Sequence, residues 1–171
     1  MYLLYGNINQ LNVKKMKKLF FAVFAVFAMS NLQAQEFKLG VDLGLPLGDI
    51  KDGSSLNIGV GANYLWDVSE GFKAGLSAGY STFLGKDGAD ALGFLPVAAA
   101  GRFDLSEDFA IGADLGYAIG VNPSGIDSGF YYAPKLQYGI SESIDLVLSY
   151  KGISVNSVSI NSLNLGIEFG L

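Results

Sequence analysis

Neither cysteine nor histidine occurs among the 171 residues. Without cysteine there is no disulfide framework, no thiol chemistry and no cysteine-based metal site. Without histidine the commonest general base and the commonest metal ligand are both missing. Charged residues are scarce as well, at 16% against about 25% in an average soluble domain. The net charge of −5 offers no basic surface for nucleic acid. Proline is rare, with four residues.

What the chain does contain is apolar surface and glycine. Half the residues are hydrophobic and 23 are glycine, and the mean hydropathy is positive, at +0.36. A small soluble domain has too much surface to cover for such a balance. A protein whose outer surface meets lipid does not face that demand. The glycines are spread through the chain and not gathered into a linker, which argues against disorder.

The N-terminal part reads as an export signal. Lys14, Lys15, Lys17 and Lys18 flank Met16, an apolar run extends from Leu19 to Met29, and Ser30 to Gln35 is small and polar. A basic region, an apolar region and a small-residue cleavage site stand in the order of a signal peptide. The apolar run is shorter than the roughly 20 residues a membrane-spanning helix needs. Cleavage is expected after Ala34, with Leu32 and Ala34 at the −3 and −1 positions. Met1 to Lys15 is unlike a signal n-region, so Met16 is the better start site, with Met1 as the alternative. The expected organisation is an upstream extension with signal peptide over 1–34 and one domain over 35–171.

From Gln35 onward the apolar period is two, which is the signature of strands. Eight alternating segments follow one another. Their apolar phases begin with Phe37, Leu39, Val41, Leu43 and Leu45, and continue with Leu56 to Trp66, Phe72 to Tyr80 and Leu95 to Leu105. Phe109 to Val121, Phe130 to Ile140, Ile144 to Tyr150 and Leu163 to Phe169 complete the set. Each is near the 9–11 residues needed to cross a bilayer at a tilt. Val158 and Ile160 are out of phase with Leu163 and Leu165, which predicts a bulge or a late start in the last strand.

An internal repeat supports hairpins. Trp66-Asp67-Val68-Ser69-Glu70, Phe103-Asp104-Leu105-Ser106-Glu107 and Tyr138-Gly139-Ile140-Ser141-Glu142 share the pattern aromatic, any, aliphatic, Ser, Glu. The spacing of roughly 36 residues matches one up-and-down hairpin with its connections. Longer connections rich in Gly, Asp, Asn and Ser are expected at Leu47 to Ser55, Gly85 to Gly93, Asn122 to Gly129 and Gly152 to Ser157. Short turns at one end and longer loops at the other are the asymmetry of outer-membrane barrels.

Three features place the apolar face outside. The opposite face is built mainly of Gly, Ala, Ser and Asn, which suit the crowded interior of an eight-stranded barrel. Aromatics fall near both strand ends. Tyr64, Trp66, Phe72, Phe103, Phe109, Tyr138 and Phe169 lie by the short turns; Tyr80, Phe94, Tyr117, Phe130, Tyr132 and Tyr150 lie by the longer loops. This predicts two interfacial girdles. No charge falls mid-strand on the apolar face, where Arg or Lys would cost about 2–4 kcal/mol. The predicted fold is all-β: an eight-stranded antiparallel up-and-down transmembrane β-barrel preceded by a signal peptide, closed because an open edge in hydrocarbon is expensive.

The inward phase carries Lys38, Lys73, Arg102, Lys135 and Lys151 against Asp42, Asp104, Asp114, Asp145 and Glu168. Unpaired buried charges are costly, so cross-lumen pairing is expected. Arg102 and Asp114, on adjacent strands, should share one network. A charge-paired plug is the expected state of so narrow a lumen; a narrow porin-like channel for small solutes is the alternative, and a secreted soluble barrel binding an apolar ligand is a third reading.

Other motifs reduce to structure. Gly75-Leu76-Ser77-Ala78-Gly79 matches a nucleophile elbow, but it is mid-strand and no base is present. Asp49 to Gly53 and Lys86 to Asp90 lack the full spacing of a calcium loop and read as turns. No catalytic, cofactor or metal site is predicted. Near the longer loops, Phe94, Phe130 and Tyr131 are the sizeable residues available for contact.

The signal peptide, eight alternating strands, Ser-Glu turns and the last strand, Leu163-Asn164-Leu165-Gly166-Ile167-Glu168-Phe169, resemble the small outer-membrane barrels of the OmpX and OmpA transmembrane-domain type, often described as porin family proteins. The resemblance implies a Gram-negative outer-membrane location, contact with outer-membrane lipid and lipopolysaccharide, and handling by the barrel-assembly machinery. Such chains usually finish on an aromatic residue read by that machinery; Phe169 matches it, followed here by Gly170 and Leu171. Enzymes of this architecture lean on a catalytic histidine, which this chain lacks. A monomer is expected, since a closed barrel leaves no edge to pair.

Overall fold

The computed structural model describes residues 35–171; the predicted signal peptide, its cleavage site and the two candidate start sites lie outside the described residues. Eight strands, β1 (Gln35–Gly48), β2 (Ser54–Ser69), β3 (Phe72–Gly85), β4 (Leu92–Asp104), β5 (Phe109–Asn122), β6 (Gly129–Ser141), β7 (Ile144–Val155) and β8 (Val158–Gly170), pair in sequence order. All the pairings are antiparallel, and β1 with β8 closes the barrel. The strands run to 12–16 residues, more than the bilayer alone requires, so their ends carry on into the turns and loops.

Alternation sets the faces. Phe37, Leu39, Val41, Leu43 and Leu45 of β1 are all exposed, as are Leu95, Val97 and Phe103 of β4 and Leu115, Tyr117 and Ile119 of β5. Residues of the other phase turn into the lumen. Glycines on the outward face are covered by aromatic neighbours: the Tyr132 ring sits over Gly152, and the Phe72 ring lies 3.8 Å from where a Gly101 Cβ would stand. Pro134 falls at a gap in the β6–β7 ladder, between Tyr132↔Gly152 and Lys135↔Ser149, as expected of a residue with no N–H to donate.

β8 differs from expectation. Its register with β7 runs without a shift from Ile144↔Phe169 to Val155↔Val158, so there is neither a bulge nor a late start. Ile160 is buried because it shares the inward phase with Asn164 and Glu168. Its partner Ile153 is buried as well, because the lumen is apolar at this end.

The short turns are at 70–71, 105–108 and 142–143, each on a Ser-Glu repeat. In the second, Ser106 Oγ accepts a hydrogen bond from the Phe109 N–H at 3.1 Å. At the other end the connections are 49–53, 86–91, 123–128 and 156–157. The last is shorter than predicted: Asn156 adopts a left-handed backbone, φ 51°, which lets β7 and β8 join in a tight turn. Asp49, in one of the stretches with calcium-loop character, ties this loop end instead, its Oδ2 accepting from Ser159 N–H at 2.9 Å.

Candidate functional site

The site is the lumen, and register explains why large charged side chains fit there. Arg102 faces Gly112, and a Cβ on Gly112 would lie 2.5 Å from Arg102 Cδ. Asp42 faces Gly59, where a Cβ would lie 2.5 Å from Asp42 Oδ2 and 2.7 Å from Lys151 Nζ. A charge thus occupies the space that a glycine on the next strand leaves open.

The charges form three groups. At the short-turn mouth, Lys38 Nζ is 2.8 Å from Glu36 and 2.5 Å from Asp145. Lys73 Nζ is there too, 3.1 Å from Glu36 and 4.0 Å from Asp104. Deeper, Asp114 takes Arg102 on one oxygen and Lys135 on the other, each at 2.7 Å. Arg102 and Asp114 are each only 2% exposed. Lys135 also approaches Glu168 at 3.7 Å, and Glu168 accepts from Asn63 at 3.0 Å and Gln137 at 2.8 Å. Arg102 Nη2 reaches Asn63 Oδ1 at 3.5 Å, while its Nε has no partner among the described residues.

In the third group Lys151 binds Asp42 at 2.6 Å. Asn164 donates to Asp42 at 2.5 Å and to Asn57 at 2.6 Å, and Asn57 donates to Ser81 at 2.8 Å. Satisfied ion pairs of this kind are tolerated where single buried charges are not.

Above the charges the lumen becomes apolar. Phe83, Phe94, Ala98, Ala118, Tyr131, Ala133, Ile153, Val155 and Ile160 form one buried cluster, with Ile50, Leu92 and Ile126 packed on it. Phe83 and Phe94 meet edge to face at 6.3 Å, a favourable aromatic arrangement. A cavity of about 60 Å³ remains, lined by Asp42, Asp114, Lys135, Lys151 and Glu168 among others; this suffices for a few water molecules. A wider vestibule of about 610 Å³ opens at the short-turn end, with Arg102 and Gln137 in its wall.

All ten charges predicted for the lumen are in ion pairs. Glu36 was not predicted to join them, nor were the amides of Asn57, Asn63, Gln137 and Asn164. Their inward phase was readable from the alternation, but their partners, on strands distant in sequence, were not. Twelve of the predicted girdle aromatics lie on the outward face. At the loop end Phe130 and Tyr132 stack at 6.3 Å, with Tyr150 6.2 Å from Tyr132. Phe94 is the correction. It is one residue from outward Leu95, so alternation turns it inward, where it is wholly buried. Tyr131 is inward for the same reason and, like Phe94, is not available for contact at the loops.

The profile of the outer membrane protein beta-barrel domain family matches residues 19–169. This chain belongs to that family. It is an outer-membrane β-barrel protein of bacteria, its outward apolar band is the lipid-facing surface, and the short turns mark the periplasmic end. No curated protein matches it. Among solved structures it is similar to Ail, the attachment invasion locus protein of Yersinia pestis, with a TM-score of 0.58 and 15% identity over 80% of this chain and 97% of that one. A de novo designed transmembrane β-barrel gives 0.55 and 17%, over 80% and 95%. Ail in complex with the heparin analogue sucrose octasulfate gives 0.54 and 16%, over 80% and 97%. At such identities the likeness concerns the fold.

Proposed function

We propose that this outer-membrane barrel is a non-catalytic scaffold with a structural or surface-contact role, its lumen blocked to solutes. The observation that carries the reading is the double obstruction: ion-paired side chains fill the middle of the lumen, and the Phe83–Phe94 cluster fills its outer end. Opening such a path would require breaking buried pairs and displacing packed aromatics together. The lack of histidine in the sequence supports the non-catalytic part. Its partners in this reading are outer-membrane lipid and lipopolysaccharide around the apolar band, and the barrel-assembly machinery during biogenesis, with Phe169 as the residue it reads. It acts as a monomer, since the closed sheet offers no edge.

Planar-bilayer recording of the purified protein tests this. No stable open current is expected. A stable current of defined amplitude would overturn the reading in favour of a narrow channel fed from the 610 Å³ vestibule.

A further inference from the structure

The Ser-Glu repeat accounts for the short turns but not for the aliphatic residue before each serine. Val68, Leu105 and Ile140 lie two residues beyond Trp66, Phe103 and Tyr138, where the ladder shifts register or gives way to the turn, and each is more than half exposed. A fourth copy of the pattern follows β8. Phe169-Gly170-Leu171 repeats aromatic, any, aliphatic, and Leu171 N–H donates to Phe37 O at 2.9 Å, which continues the β1–β8 ladder past the girdle. Leu171 is 79% exposed.

Val68 and Ile140 lie at the ends of β2 and β6, and Leu105 and Leu171 stand just past the ends of β4 and β8; these are every second strand of a closed barrel and all the strands that run toward the short-turn end. Two residues along a tilted strand correspond to roughly 5 Å along the membrane normal. The aliphatics therefore form a ring beyond the aromatic girdle by at most about that distance. The next residues, Ser69-Glu70, Ser106-Glu107 and Ser141-Glu142, are polar and then charged.

We infer that this aliphatic ring seats in the phospholipid of the periplasmic leaflet and sets the lower limit of the protein's membrane contact, with the Ser-Glu turns emerging directly into the headgroup layer. Two observations select lipid as the occupant. The ring is continuous with the lipid-facing girdle above it. It also encircles the barrel, whereas a protein partner would cover one side. The turn glutamates then act as a charged stop that keeps the barrel from sinking further.

The lack of cysteine makes the test direct. Val68→Cys, Leu105→Cys, Ile140→Cys and Leu171→Cys, each carrying an environment-sensitive fluorophore, are purified from outer membranes and placed in phosphatidylethanolamine–phosphatidylglycerol vesicles, with Glu70→Cys as the reference. Lipids spin-labelled near the headgroup should quench all four ring sites strongly, and iodide should quench them several-fold less than the Glu70 site. Iodide quenching equal to the reference at the four sites would overturn the proposal. So would shielding in native envelopes that disappears in the pure lipid vesicles, which would assign the ring to a protein collar.

Discussion

The ammonium of Lys151, on β7, lies 2.7 and 2.6 Å from the two carboxylate oxygens of Asp42, on β1, and spans β8 to reach them. Asn164 of β8 supports the same carboxylate from between. The pair therefore joins three strands at the seam where the barrel closes. Replacing Asp42 by Asn would leave a buried ammonium without a counter-charge, a change that typically costs about 3–5 kcal/mol. Urea unfolding in vesicles should show Asp42→Asn destabilised in that range. The double variant Asp42→Leu/Lys151→Met should lie closer to the parent, because no orphaned charge remains. Equal losses in both would mean that the pair matters only through packing.

The Phe83–Phe94 contact makes a prediction of a different kind. Truncating either ring removes a buried aromatic from an apolar cluster and leaves a cavity in its place, at a cost of about 3–5 kcal/mol. Phe94→Ala should lower the temperature at which the cold-resistant band converts to the unfolded band in SDS gels. Phe130→Ala, on the lipid-facing side, should leave that temperature nearly unchanged, which distinguishes an inward Phe94 from a girdle residue.

Glycine positions can be ranked by the space beside them. A Cβ on Gly112 would lie 2.5 Å from Arg102 Cδ and 2.6 Å from Gly101 O, whereas one on Gly53 meets nothing within 4 Å. Gly112→Ala is expected to lose about 1–3 kcal/mol through overpacking. Gly53→Ala should be within about 0.5 kcal/mol of the parent, as for surface substitutions generally. Equilibrium unfolding of the two variants side by side is sufficient.

The lipid-facing assignment is tested at Leu115, which is outward near the middle of β5 and about half exposed. Leu115→Arg should cost about 2–4 kcal/mol in a bilayer. The same substitution at Val68, close to the periplasmic turn, should cost about 0–1 kcal/mol, since the penalty fades toward the interface. Comparable losses at both sites would contradict the depth assigned to them.

How much of this was readable beforehand varied by residue. The two-residue period from Phe37 to Phe169 determines strand number, face and closure, because one face in lipid leaves the pattern little freedom. The inward charges followed from the same period, and their pairing followed from the cost of leaving them alone. Phe94, Tyr131, Ile153 and Ile160 were harder to read. They are apolar residues on the inward phase, and a pattern that equates apolar with outward misplaces them or takes them for a register fault. Only the fold shows that the lumen changes from charged to apolar along its length. The tight turn at Asn156 was missed for a related reason: Gly152 to Ser157 has loop-like composition, yet most of it is paired strand.

The hydrogen bond from Leu171 to Phe37 places the start of β1 beside the end of β8 on the periplasmic rim. A tag or enzyme fused at the beginning or end of the barrel would hence stay beneath the membrane, invisible to antibodies applied to intact cells. A foreign epitope meant for display must interrupt an outer connection instead. The 86–91 segment suits this, since Gly88, with a left-handed backbone, has nothing within 4 Å of its missing Cβ, whereas Ile50 and Ile126 of the neighbouring loops are committed to closing the lumen.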